Sequence, residues 1–199
     1  MSSRCTILPE PQFAERKEVL AERLAGVARN VNPENFASLL DPLMRDLIQR
    51  GFAAAGAHEG TIWLLDASAQ NLVPAYNTGP NANRIIGQFR QPLTSGLISM
   101  VLASEQPFIE NEVYKNSRQS KILDATLHTQ TYALIAVPFY FLKNCHGVVS
   151  CVQLKEPGTA PDPPGFTPAH LAVVQTHIMI LTRLLEYRVL SSTVDWAAD

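Results

Sequence analysis

The sequence predicts an α+β fold: a central antiparallel sheet of five to six strands, with the N- and C-terminal helices on one face and loops plus a short helix on the other. Three observations carry this expectation. Between Tyr132 and Lys155 the chain reads YALIAVPFYF, then LKNCHG, then VVSCVQLK, two apolar runs rich in Val, Ile, Tyr and Phe around a short connection ending in Gly147. Such a pair is the pattern of a β-hairpin at the centre of a sheet. Long stretches with helical spacing of apolar residues lie towards both ends of the chain, and one shorter helical stretch crosses its middle at 94–104.

Taken in order, residues 12–30 place Phe13, Val19, Leu20, Leu24 and Val27 at roughly helical spacing, with charge opposite. Val31-Asn32-Pro33 ends that helix, and Asn32 is placed to cap a second one over 33–55, with Pro33 and Glu34 in its first turn. Its apolar side is Phe36, Leu39, Leu40, Leu43, Leu47 and Ile48, and Pro42 inside it predicts a kink or a break into two helices. Strands follow at 60–65 and 72–76 around a polar turn, then the turn-forming NTGPNAN segment and a short strand within 84–92. Thr94 or Ser95 is placed to cap the cross-chain helix bearing Leu97, Ile98, Val101 and Leu102, and 107–109 reads as another short strand before a polar segment to Gln130. After the hairpin, a Pro- and Gly-rich loop at 157–165 leads to Thr167-Pro168, which opens a final helix to about residue 191.

Composition removes several classes of function. With 46% hydrophobic and 17% charged residues the chain has the make-up of a folded domain. Its 199 residues are enough to bury a core. The formal net charge of −2 comes with scattered Lys and Arg, without the basic stripe that neutralising phosphates requires, so no nucleic-acid partner is expected. Apolar runs stop short of the ~20 residues of a spanning helix, so no membrane association is expected. No secretory leader pattern is present, and a cytoplasmic location is the expectation. Three cysteines, Cys5, Cys145 and Cys151, lack CxxC spacing, which disfavours a disulfide framework or a zinc site.

The order of these segments resembles the GAF domain family of small-molecule-sensing and dimerising modules. GTIWLLD (60–66) looks like its first strand, and LTSGLISMVLASEQPFIENEV (93–113) like the run from the cross-chain helix into the next strand. ALIAVPF (133–139) resembles its central strand, GVVSCVQLK (147–155) its last strand and FTPAHLAVVQTHIMILT (166–182) its closing helix. The resemblance divides the chain into an N-terminal extension and helix (1–32), a GAF-like domain (33–190) and a tail (191–199). Ser150 stands where the family commonly has Gly. Aligned on Asp124 and Pro138, the Phe of the cyclic-nucleotide signature is Gln119 here, and its Asn-Lys pair is Glu156-Pro157, which disfavours a cyclic nucleotide. Between Cys5 and Cys145 there is no cysteine, which removes covalent bilin attachment and argues against the free methionine-sulfoxide reductase activity found on this fold.

In this family the pocket lid falls between Ile109 and Tyr132, and the resemblance makes Asn111, Glu112, Tyr114, Asp124, His128, Thr129, Gln130 and Tyr132 candidate ligand-binding residues. Small-molecule sites set a few placed polar groups over an apolar floor, which this segment can supply; a solvated loop and helix is the alternative. His128 is the sharpest single candidate, as a pH-sensitive contact or metal ligand, against the plainer reading of a surface cap. Cys145-His146 forms no catalytic pair, since neighbours in a strand point to opposite faces and no third group orients them. His170 and His177 share a helix face without a carboxylate, a weak metal pattern, so no metal is expected and the cofactor is left unknown. The terminal helices resemble the family's dimer seam, with Leu20, Leu24, Val27, Ile178, Leu181, Leu185 and Val189 as candidate interface residues. The resulting expectation is a non-enzymatic sensory module that binds an unidentified small molecule and signals through its terminal helices, as a homodimer, to a partner or attached output domain. The alternative is a ligand-free dimerisation or protein-interaction module, its pocket filled by Tyr132, Phe139 and Phe141.

Overall fold

Residues 17–142, 144–155 and 161–193 are described by a computed structural model. Six strands form one sheet: β1 (Glu59–Leu65), β2 (Asn71–Asn77), β3 (Gln91–Pro92), β4 (Phe108–Asn111), β5 (Thr131–Phe141) and β6 (Asn144–Leu154). Their order is β3-β2-β1-β6-β5-β4, and all neighbours are antiparallel. The β5–β6 hairpin expected from the sequence therefore lies inside the sheet, between β1 and β4. β5 is eleven residues long, but β4 pairs only with Ala133 to Ala136, so the far end of β5 is an edge.

Two long elements open the described chain. Helix α1 (Lys17–Asn30) is the described part of the helix expected at 12–30, the rest of which lies outside the described residues. The expected helix over 33–55 is broken at Pro42 into α2 (Phe36–Leu39) and α3 (Pro42–Ala54). Pro42 has no N–H to give, which matters least at the first helical position. Asp41 caps α3 by accepting from the Met44 N–H at 2.8 Å. Asn32 caps a turn instead of a continuous helix, its Oδ1 accepting from the N–H groups of Glu34 and Asn35.

The middle of the chain holds the short strand foreseen within 84–92, as the two residues of β3, after 82–85 coil into a helical turn, α4 (Ala82–Ile85), that buries Ile85. The cap of the cross-chain helix is corrected. Helix α5 (Leu97–Ser104) is preceded by Gly96 at the cap position, with φ +93 and no side-chain cap, in place of Thr94 or Ser95. That φ favours glycine, since a Cβ there would crowd the preceding backbone. The polar segment before β5 holds a 3-10 turn (Val113–Lys115) and helix α6 (Ile122–Leu127). The final helix, α7 (Pro168–Thr193), runs two residues beyond the expected end.

The sheet is covered on both faces, which is why its central strands read as unbroken apolar runs. One core lies under α1, α2, α3 and α7 and takes Ile62, Leu64, Ile135, Phe139, Val149 and Cys151 from the sheet. Alternate strand residues, Trp63, Leu134, Ala136 and Val148, turn to the other face and pack with Leu97 and Val101 of α5 and with Val113. On the helical side α3 and α7 touch closely at Gly51: a Cβ on it would come within 2.7 Å of the His177 ring. Phe139 stacks edge-on against Phe36, with 5.8 Å between ring centres, and Phe141 is buried in the same core. Neither phenylalanine is on the face where a lid-covered pocket would be filled, which corrects the expectation that they plug it.

Candidate functional site

Beneath the 113–131 segment, on the α5 face of the sheet, lies a cavity of about 80 Å³. Its floor comes from strands, with Trp63 of β1, Leu134 of β5 and Ser150 and Val152 of β6; its sides come from Gln91, Gly96, Leu97 and Ile98; its roof is Val113, Gln119, Ser120, Leu123 and Asp124. Thr131, at the start of β5, closes the end where roof meets floor.

Most of the polar groups in this wall hold one another. The Trp63 indole N–H donates to Ser150 Oγ at 2.9 Å across the β1–β6 pair, both residues being buried. Gln91 Nε2 donates to the Ser95 carbonyl at 2.8 Å and holds the loop that leads into α5. Asp124 receives three hydrogen bonds: the Thr131 hydroxyl reaches Oδ1 at 2.7 Å, while the Thr131 N–H (2.9 Å) and Gln119 Nε2 (3.1 Å) reach Oδ2. These bonds tie the roof to the start of β5. Two atoms stand outside the network. Gln119 Oε1 and Ser120 Oγ are sealed from solvent and have no hydrogen-bond partner. A buried polar atom left unpaired costs about 1–3 kcal/mol, so such atoms call for an explanation.

Of the eight candidate ligand residues, the fold brings Asp124 into the cavity wall. Asn111 instead ties β4 to the loop before α7, donating through Nδ2 to the Phe166 carbonyl (3.1 Å) and accepting from the Phe166 N–H (2.8 Å). Glu112 receives Lys115 Nζ at 2.5 Å. Tyr114 and Tyr132 lie 6.3 Å apart, with the Lys115 and Lys155 ammonium groups near the Tyr114 ring. His128 ends α6 in the left-handed conformation at φ 55 and is exposed, with Thr129 and Gln130 beside it. Among the polar and aromatic residues of the cavity, sequence reasoning did not single out Trp63, Gln91, Ser120 or Thr131. Gln119 and Ser150 entered only as departures from the family pattern.

The candidate interface residues divide in two. Ile178, Leu181, Leu185 and Val189 are buried within the chain, packed towards the sheet. Leu20, Leu24 and Val27 are half-buried, and Leu24 borders a groove of about 770 Å³ between α1, the hairpin tip and α7. Tyr187 and Leu190 of α7 border the same groove, as does His146, whose imidazole burial pushes below its usual value against the opposing hydrogen bond with the Phe141 backbone. The outward side of α7 carries Met179, 61% exposed, and Tyr187, 71% exposed. Cys151 is buried, and burial pushes its thiol up to about 12, far from a reactive thiolate. Cys5 and the Cys145 side chain lie outside what is described. Among the described residues no group of His, Cys, Asp and Glu is placed to hold a metal, and no helix is long and apolar enough to cross a membrane.

No family model and no curated protein matches this chain. Solved structures do match its fold. The GAF domain/HD domain protein from Geobacter sulfurreducens aligns with a TM-score of 0.58 at 16% identity, over 78% of this chain and 98% of that one. The GAF domain of a phosphoenolpyruvate-protein phosphotransferase from Coxiella burnetii aligns with a TM-score of 0.58 at 15% identity, over 90% and 96%. The GAF-B domain of DevS from Mycobacterium smegmatis aligns at 0.51 and 16%, over 79% and 95%. The six-stranded antiparallel sheet with helices on one face and a lid over a small cavity on the other is a GAF-like fold.

Proposed function

We propose that this chain is a non-catalytic, cytoplasmic sensory module that binds a small molecule in the cavity beneath the 113–131 segment. The observation that carries the reading is the pair of sealed, unpartnered atoms, Gln119 Oε1 and Ser120 Oγ, in one cavity wall. A bound molecule that pairs them stabilises the roof in its closed position. No cysteine between Cys5 and Cys145 and no nucleophile–base pair at the cavity supports an enzyme. The binding signal has a physical route outward. β6 turns Ser150 and Val148 to the cavity face and Val149 and Cys151 to the core beneath α7, so a shift of this strand is felt on both faces. The output is a partner or attached domain, reached through α1 and α7 of a homodimer.

Native mass spectrometry of freshly purified protein, under gentle and then denaturing conditions, tests this reading. A small molecule released on denaturation is the expected result; a protein that carries none, and whose melting temperature responds to no small-molecule panel, overturns it. A ligand-free dimerisation module is the second reading. It is favoured by the cavity volume of about 80 Å³, well below the ~300–1,000 Å³ of ordinary ligand pockets.

A further inference from the structure

We propose that the cavity takes a small primary ammonium group and excludes anions, an inference that rests on reading this cavity as a ligand site. The orientation of one side chain starts the argument. The Asp124 carboxylate only accepts, so Gln119 must present its Nε2 to Oδ2 at 3.1 Å. Its Oε1 is then the atom left without a partner, and an amide oxygen is an acceptor that nothing but a donor can satisfy. Ser120, the next residue in the same wall, also has an unpartnered Oγ, whose hydroxyl can accept from a donor or donate. Asp124 adds a negative charge. Among the described residues that line the cavity, none is a Lys, Arg or His that would balance it. Arg118, next to Gln119 in the chain, lies instead in a neighbouring surface depression with its Nη1 3.8 Å from Met100 Sδ.

The wall therefore offers one acceptor that only a donor completes, a hydroxyl able to accept beside it, and the negative potential of Asp124. A primary ammonium supplies three N–H donors on a compact cation. It pairs Gln119 Oε1 and Ser120 Oγ while facing the Asp124 carboxylate. A phosphate or carboxylate would meet the same wall with like charge and no donor for Gln119 Oε1, an uncompensated cost in a site shielded from water. At roughly 30 Å³ per water, the cavity has room for a group a few heavy atoms in size.

The full chain labelled with nitrogen-15 gives the test, by titration at neutral pH and fixed ionic strength with methylammonium chloride, acetamide, sodium acetate and sodium phosphate. The Trp63 indole N–H and the Gln119 side-chain amide are the reporters. Methylammonium is expected to shift both saturably, acetamide more weakly, and the two anions not at all. Gln119→Leu and, separately, the smaller change Ser120→Ala are each expected to weaken methylammonium about fivefold or more, the worth of one hydrogen bond. Saturable shifts by acetate or phosphate, or tighter binding of acetamide than of methylammonium, would overturn the ammonium assignment while leaving the cavity a ligand site. Silence from all four probes would overturn the ammonium assignment, and the native mass spectrum would then separate a cavity completed by water alone from one holding another ligand.

Discussion

Ser150 sits in the apolar run VVSCV at a position buried to 4% exposure, and the indole N–H of Trp63 donates to it. Replacing Ser150 with Ala removes the acceptor and leaves that N–H buried and unpaired. The expected loss is about 1–3 kcal/mol in urea denaturation. Adding Trp63→Phe removes the orphaned donor, so the double variant is expected to lose less than the sum of the two single changes. Glu59 behaves in the opposite sense. Burial raises its carboxyl above the usual 4.5. A carboxyl raised on folding adds stability below its unfolded value, and that contribution is lost as pH rises through the folded one. Glu59→Gln is therefore expected to melt higher than the parent at pH 7 and to show no advantage below about pH 4, by thermal unfolding across pH. At this scale the sequence was legible only in part. A polar residue in an apolar strand, as at Ser150, was visible as a departure. That Gln119 and Ser120 keep unpaired atoms was not, since it depends on where Asp124 and Thr131 come to rest.

At the scale of elements, the closest helix contact is α3 against α7 at Gly51. Gly51→Ala would drive a methyl to within 2.7 Å of His177, at atoms near the stem of that side chain. The expected cost is about 1–3 kcal/mol, the range for overpacking, and His177→Ala in the same chain, which removes the ring but keeps the Cβ that the methyl would meet at 2.8 Å, is expected to relieve only part of it, again by denaturant unfolding. The proposed dimer seam belongs here too. Removing the end of α7 would strip Leu185 and Val189 from the core and so confuse folding with association. Met179→Glu with Tyr187→Glu alters exposed positions only. It is expected to convert a dimer into a monomer by sedimentation velocity while moving the melting temperature little; an unchanged dimer would place the seam elsewhere. Elements with strong punctuation were readable in advance: Pro42 marks the break that starts α3, and Pro168 the start of α7. α4 was not, because a four-residue helix carries too few residues to establish a period, and β3 was placed only as a short strand within 84–92.

For the whole molecule, the sheet is a wall shared by two cores, and its central strands are apolar on both sides. That doubling made the hairpin easy to find and the faces hard to assign: the alternative of a filled pocket set Tyr132, Phe139 and Phe141 on the cavity side, and both phenylalanines lie on the helical side. The sheet's outer border has a further consequence. Among the described residues, no strand flanks that side of β5 from Val137 to Phe141, beyond its pairing with β4. A strand border is a template on which another chain can lay a strand. Here Pro138 has no N–H to offer, and the Tyr140 carbonyl accepts from the Thr182 hydroxyl of α7 at 3.2 Å. A strand laid along this stretch would therefore find two of its backbone partners missing or taken, which disfavours growth along this part of the border.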